Sequence, residues 1–398
     1  MQPLEEGDEK LPLYLMGDDK DVFGYELPVM GTATNKVATD DLFFNTATQG
    51  NSITFRATVS EGQYFEQTYT LTDAYTIDYD IKFVGLDNVL NRSVETLPLK
   101  WIQHLGTLER NVSYERQQMS TTYFKPVGEY TSYTKYNKDN IQDLSDQKIE
   151  WMSHANQFFN SALISKDVPF EGGVFETDVM EEGDDDLKKQ TTTLQIPFQE
   201  GDFAMQLYAG PKEYDRLVAI ADEFQYTVPF GWNIFGTVNR YIIRPIFGFL
   251  SGLIGSKGIV ILLLTLLVKL LLYPLTYRML KSQAKMSALK PQIEKVKSKF
   301  KDDAQQQQME TMKMYREFGV SPLGGCLPMV LQMPIWFALY RFFPAAIEFR
   351  QESFLWAADL SSFDVFTRLP FEIPFYGAHI SLFTILWAIS TVAYTVYN

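Results

Sequence analysis

A single lysine in the middle of an otherwise apolar run constrains this chain more than any other feature. From Gly258 to Tyr277 the sequence reads GIVILLLTLLVKLLLYPLTY, with Lys269 as its one charge. At about 1.5 Å per residue the run is about 30 Å long, enough to cross the hydrocarbon core of a bilayer. Lys269 lies about 17 Å along it, near the midplane, where an ammonium costs about 2.5–3.5 kcal/mol even on the lenient insertion scale. A lysine stem reaches the interface only from near a helix end, so snorkelling does not account for it. Charges so placed face a wet cavity or a partner group. The residues leave two readings open: a functional cation in a groove, and a structural ion pair with another span.

Charge divides the chain into two unlike halves. Residues 1–230 carry 18 Lys+Arg against 39 Asp+Glu, whereas residues 231–398 carry 17 against 10. The apolar runs are concentrated in the basic half. Two domains follow from the length, with a boundary near 228. Because the basic charge is confined beside a membrane span, direct nucleic-acid recognition is not expected. Cys326 is the sole cysteine and the three histidines, His104, His154 and His379, are far apart. That excludes an internal disulfide and offers no metal-ligand spacing. No nucleotide-binding motif is present, so no cofactor is expected.

The acidic half reads as β-rich. In 53–59 Ile53, Phe55, Ala57 and Val59 alternate with Thr54, Arg56 and Thr58; in 75–83 Tyr75, Ile77, Tyr79, Ile81 and Phe83 alternate with polar residues. Period two is the signature of strands with one buried face. Further strand-like runs occur near 120–134 and 190–209, and EEGDDD at 181–186 reads as a loop. The expected architecture is a large antiparallel sandwich over residues 1–228.

The remainder, 229–398, reads as helical and membrane-embedded. On a helical wheel over 233–254, Ile234, Val238, Tyr241, Ile242, Ile246, Phe249 and Leu253 share one arc, opposite Asn233, Thr237, Arg240, Arg244 and Ser251. Such a helix suits the headgroup plane, with Pro245 breaking or kinking it. After the 258–277 span, eight basic residues between Arg278 and Lys301 mark that side as cytoplasmic. Met279, Met286, Leu289, Ile293, Val296 and Phe300 form a heptad seam. With a turn at 301–303 and a second stripe of Met309, Met312, Tyr315 and Phe318, residues 278–320 are expected to form an antiparallel hairpin. Most of its methionines are expected to fill the seam. A second span, 322–345, contains Pro328, Pro334 and Gln332; an outer loop, 346–374, and a partial span, 376–398, follow.

Several blocks carry a specific resemblance. TLLVKLLLYPLT (265–276), SQAKMSALKPQIEKVKSKF (282–300) and SPLGGCLPMVLQMPIWFALY (321–340) resemble the signature blocks of the YidC-type membrane protein insertases. LYAGPKEYDRL (207–217), FGWNIF (230–235) and, more loosely, WMSHANQFFNSALIS (151–165) resemble the family's periplasmic domain and the helix after it. The resemblance implies a multidomain membrane protein of the bacterial inner membrane. Its parts would be a periplasmic all-β super-sandwich and a five-span α-helical bundle with a cytoplasmic helical hairpin. It also implies a hydrophilic groove whose cation attracts acidic segments of an incoming chain. The family's usual residue there is arginine and the matching position is Lys269, which keeps the charge and loses the planar fork. Gln332 is implied to line the groove, and Met286, Met309 and Met312 are implied contacts of the hairpin with substrate. Nascent membrane proteins, the Sec translocon, the ribosome and the lipid bilayer are the implied partners.

Other classes fit less well. A small-anion transporter would use Lys269 to bind its substrate but should show repeated spans, which the sequence lacks. An intramembrane enzyme would need a nucleophile and base, and no His, Asp or Glu accompanies Cys326 in the spans. A tethered extracytoplasmic binding module leaves the hairpin and Lys269 unexplained. The opening residues, MQPLEEGDEKLPLYL, lack a basic n-region and a long apolar h-region, and the last apolar segment has no flanking basic residues. The sequence is therefore expected to be a fragment of a longer protein.

Overall fold

The computed structural model describes residues 14–17, 19–32, 34–198, 201–300, 303–319, 327–373 and 376–397. Pro322, Cys326, Lys301 and most of the opening fifteen residues lie outside that set. The chain divides into two units: residues 1–229 with 345–347, and residues 230–344 with the rest.

Alternation in the first unit becomes strands. They are β1 (Val22–Leu27), β2 (Val37–Ala38), β3 (Asn45–Gln49), β4 (Ser52–Ser60), β5 (Gln63–Asp73), β6 (Thr76–Val84), β7 (Thr96–Gly106), β8 (Thr121–Pro126), β9 (Ser132–Tyr133), β10 (Asn140–Leu144), β11 (Ile149–Ala155), β12 (Phe159–Ser165), β13 (Gly172–Val179), β14 (Asp186–Pro197) and β15 (Phe203–Pro211). They form a nine-stranded sheet, β3-β4-β5-β6-β15-β12-β11-β8-β9, and a six-stranded one, β10-β13-β14-β7-β1-β2. Pairing between neighbours is antiparallel, as in β5 with β6 and β14 with β7.

The inner faces of both sheets make one core. Leu97, Leu99, Trp101, Phe175 and Leu194 from the smaller sheet meet Phe65, Tyr79, Ile81, Phe124, Met152 and Leu163 from the larger. Phe124 stacks on Phe175 at 4.5 Å between centroids, and Phe23 meets Trp101 edge-on. Each fully buried aromatic or aliphatic side chain contributes about 1.5–3 kcal/mol of transfer free energy. In β6, Tyr79, Ile81 and Phe83 are buried as the alternation predicts, while Tyr75 precedes the strand and is exposed. The β4 face is less covered than expected: Ala57 is buried, but Ile53 and Val59 are exposed. Val59 sits where the register between β4 and β5 shifts, between Thr58 and Ser60, and Ile53 lines an open cleft.

The second unit is helical. Two short helices of the first unit, Val112–Tyr114 (α1) and Tyr214–Ile220 (α2), precede it in the chain; within it, Asn233–Val238 (α3) and Arg244–Leu253 (α4) are joined by a π turn, Asn239–Ile243. Pro245 therefore does not break the helix; it sits in the first turn of α4, and the wider turn before it absorbs the missing donor. The buried side is Asn239, Ile243, Phe247 and Leu250, a third stripe that the two-faced wheel misses. Ile234, Tyr241, Ile242, Phe249 and Leu253 remain exposed on the apolar arc.

The expected 258–277 span and the first arm of the hairpin are one helix, α5, of 43 residues from Lys257 to Lys299, about 64 Å long. Pro274 and Pro291 lie inside it. Each removes one backbone donor, and neither ends the helix. Gly258 is required near its start, because a Cβ there would sit 2.1 Å from the Phe354 ring. The hairpin returns through α6, Ala304–Glu317, capped by Asp303, which accepts from the Gln306 amide at 2.9 Å.

Leu327–Ala345 (α7) carries Pro334 and Pro344. The outer loop closes with a hairpin, Thr367–Ile373 (β16) with Gly377–Ile380 (β17). The last helix, α8, runs Leu382–Tyr397. It starts after the expected 376 because Gly377–Ile380 is committed to the sheet. Asp364 anchors that start, accepting from the Leu382 amide at 2.8 Å, Trp356 Nε1 at 2.9 Å and Ser381 Oγ at 2.5 Å. Among the described residues, α5 alone is long and apolar enough to cross a membrane, and α8 is apolar but shorter.

Candidate functional site

A small cavity and one hydrogen bond lie between α5 and α7, which run antiparallel there. Thr265, Lys269 and Thr276 are spaced by four and seven residues, so they share one face of α5. Thr265, Val268 and Lys269 line a cavity of about 250 Å³ with Trp336, Leu339, Tyr340 and Phe343 of α7. About two turns farther along α5, Gln332 Nε2 of α7 donates to Thr276 Oγ1 at 3.1 Å. Thr276 Oγ1 in turn donates to the Leu272 carbonyl at 3.1 Å, so the contact between the helices is oriented at both ends. Lys269 is exposed and, among the described residues, makes no ion pair.

Lys269 and Gln332 therefore belong to one surface between two helices, but they do not touch in any recorded contact; Thr276 is the residue that links α7 to the lysine's face. Thr265 and Thr276 were not singled out from the sequence. Their spacing from Lys269 was a usable signal, since any polar residue four or seven positions from a charge within an apolar helical run shares its face. The wall opposite Lys269 is aromatic, so a cation here projects beside an apolar surface rather than into a carboxylate cluster. The cavity offers attraction for an anionic group and contact for an apolar one.

The helix preceding α5 fixes the other side of α7. Asn239 Nδ2 donates to the Phe230 and Ala338 carbonyls, both at 2.7 Å. Phe230 stacks on Phe342, and Phe247 packs edge-on against it. Arg341 lies over the Trp232 ring at 5.4 Å.

The hairpin separates its methionines. Leu289 is buried and Met279, Met286, Ile293, Val296 and Phe300 are half-buried, so the first seam is as expected. The second stripe is not: Met309, Met312 and Phe318 are 60, 45 and 50 % exposed. Gln307, Glu310, Thr311, Met314 and Tyr315, the last a member of the expected stripe, are the more covered residues of α6, and Gln307 Nε2 donates to the Phe300 carbonyl at 2.6 Å. That hydrogen bond and the Asp303 cap set the rotation of α6, overriding the apolar stripe. Met286 thus lies in the seam, Met309 is exposed, and Met312, though largely exposed, lines a shallow groove with Lys297, Gln308, Thr311 and Tyr315.

Comparison with known proteins places this geometry. The family described as YidC periplasmic domain matches residues 10–248, and that described as 60Kd inner membrane protein matches 249–398. The chain is 38 % identical to the membrane protein insertase YidC of Parabacteroides distasonis over 97 % of this chain and 63 % of that protein. It is 35 % identical to the protein of the same name from Amoebophilus asiaticus, over 96 % of this chain and 66 % of that one. For Phocaeicola vulgatus the identity is 37 %, over 98 % and 65 %. The chain thus spans a little under two thirds of the length of these relatives. With both halves matched and the relatives aligned across nearly all of it, the chain belongs to the YidC membrane protein insertase family.

Proposed function

We propose that this chain is the working part of a membrane protein insertase and chaperone, which lowers the barrier for nascent segments entering the bilayer. The observation that carries the reading is Lys269 on the α7-facing side of a long apolar helix, between Thr265 and Thr276 and open to a cavity. A segment crossing lipid unaided must bury unpaired polar and charged groups at several kcal/mol each. A cationic groove with hydroxyl and amide groups shortens that path and draws an acidic translocated stretch inward. Apolar flanking sequence then partitions into lipid, which supplies the driving force. No covalent or nucleotide-driven step is needed.

In this reading Gln332 lines the groove, and Met309 and Met312 on the hairpin meet incoming apolar segments before the groove does. Thioether side chains adapt to varied apolar partners. Ribosome-bound nascent chains reach it alone or through the Sec translocon. The protein is a multi-pass resident of the bacterial inner membrane, with its β unit in the periplasm.

The test exchanges the charge. In proteoliposomes at matched protein levels, Lys269→Arg should retain insertion of a client with an acidic translocated tail, and Lys269→Glu should lose it. Equal insertion by the Glu variant and the unaltered protein would overturn the cation's role. A small-anion flux abolished by Lys269→Glu, with client insertion unaffected, would instead establish a transporter.

A further inference from the structure

We propose that the outer hairpin of the helical unit, β16 with β17, lies on the bilayer surface and rests its uncovered apolar side on the outer leaflet. The proposal depends on the membrane reading of α8 and on no other part of the insertase reading.

The root of the hairpin is fixed to the start of α8. Ile380, the last residue of β17, is two positions before Leu382, and its carbonyl accepts from the Phe366 amide at 2.8 Å. Asp364 ties Trp356, Ser381 and Leu382 together, and the Trp356 ring packs on Phe383 in the first turn of α8 at 4.6 Å. The hairpin is therefore held at the end of a helix whose Leu386 and Trp387 face outward. On the membrane reading, that end is where the hydrocarbon core gives way to headgroups.

One side of the ribbon is occupied within the protein. Arg368 pairs with His379, and the His379 ring stacks on Phe363, at 4.3 Å, and on Tyr376, at 4.8 Å. The next residue of β16, Leu369, points to the other side, as successive strand residues do. Beyond the register shift that follows Arg368, Phe371 and Ile373 are 61 and 39 % exposed. A two-stranded ribbon on its own is marginal in water and needs a surface against its apolar side.

Lipid supplies that surface better than a polypeptide does. Strand addition needs an unbroken row of backbone groups, but Pro370 removes a donor from β16 and β17 has only four residues. A lipid surface needs no backbone partner and takes aromatic rings at headgroup level. Phe366 and Tyr376, both exposed, add rings of that kind at either end of the ribbon. Resting there, the hairpin sets the depth of the outer end of α8.

Environment-sensitive labels read this directly. In a Cys326→Ser background, bimane is attached at Phe371→Cys, Ile373→Cys or Arg368→Cys, with Leu386→Cys as the reference on α8. The protein is reconstituted into vesicles of phosphatidylethanolamine and phosphatidylglycerol. A nitroxide near the top of the acyl chains of an added phosphatidylcholine should quench at 371 and 373 about twofold more than at 368, as suits side chains about 5–10 Å into the headgroup boundary. Aqueous iodide should rank the sites in reverse. Two apolar sites keep the result independent of any one label disturbing the ribbon. Iodide quenching at both without lipid quenching overturns the proposal, because the ribbon then stands in water. Shielding of both from both quenchers also overturns it and assigns the side to a protein partner. Lipid quenching at 386 but at neither 371 nor 373 sinks the hairpin proposal alone, and the converse sinks the membrane reading of α8 alone.

Discussion

The two units use the same hydrophobic effect in opposite directions. The β unit turns Trp101, Phe124, Phe175 and Met152 inward to under 4 % exposure. The helical unit turns Leu262, Leu266, Leu270, Leu271 and Trp387 outward. An apolar surface of that extent has no place in water. The difference teaches that burial within the protein marks the core of the first unit, whereas outward-facing leucine on α5 marks a surface made for lipid. Polar groups invert likewise. His154, Gln103, Thr192, Lys188 and Lys212 are buried in the β unit, and Lys269 is the one charge on the 258–277 run of α5.

The largest effect that could break this comparison comes from paired truncations. Phe175→Ala removes a ring stacked across the sheets and should cost about 3–5 kcal/mol. Leu266→Ala removes an outward side chain and should change stability by less than about 0.5 kcal/mol. Urea midpoints from pulse proteolysis in detergent, read on fragments of each half, check both. Equal losses would mean that the α5 surface is packed against protein rather than lipid.

A smaller, pH-dependent effect sharpens the contrast. His154 hydrogen-bonds Gln103 Oε1 at 3.1 Å and Thr192 Oγ1 at 2.9 Å and packs on Trp101. Burial holds its imidazole far below the ordinary 6.5, at about 3. As pH falls from 6.5 to 3 the unfolded chain takes up a proton that the folded one refuses, so stability falls across that window and levels off below it. Burial also lowers Lys188 and Lys212 from 10.5 to about 7. The unfolded chain then binds protons first between pH 10.5 and 7, so stability falls with pH there as well. His154→Gln should flatten the acid limb and leave the alkaline one, as read by the same urea midpoint. An unchanged acid limb would move the titrating group elsewhere.

How much was legible in advance follows from how local the deciding forces were. Period-two alternation exposed β6 because neighbours on one strand suffice to define its face. It overstated β4, since Val59 falls at a register shift with β5 and Ile53 lines an open cleft, neither of which one strand's own pattern encodes. The Met279–Phe300 seam was readable as a heptad, but the rotation of α6 was set by the Gln307 bond and the Asp303 cap, which a hydrophobic count ignores. Lys269 stood out as a charge at depth. Its link to Gln332 through Thr276 required the pairing of α5 with α7, which no single segment encodes. Asn239 and the π turn were invisible for the same reason: the Ala338 carbonyl that fixes them comes from 99 residues away.

The smallest structural effect belongs to the hairpin, where the comparison makes its finest distinction. Met286 lies in the seam with Leu289, whereas Met309 and Met312 face outward. Replacing both outward methionines with serine removes little packing, so hairpin stability should change by less than about 0.5 kcal/mol. Met286→Ser removes a half-buried side chain from the seam and should loosen the hairpin measurably. Hydrogen exchange over 279–299 and 304–317 reads that difference. A disulfide between Ile293→Cys and Thr311→Cys should form more readily than one between Ile293→Cys and Met312→Cys, because Thr311 is on the covered side of α6 and Met312 is not. If the outward serines also reduce photocrosslinking to a stalled nascent chain while exchange stays unchanged, the methionines act on the client rather than on the fold. Reduced exchange protection in the double variant would place them in the seam after all, and α6 would then be rotated from its present setting.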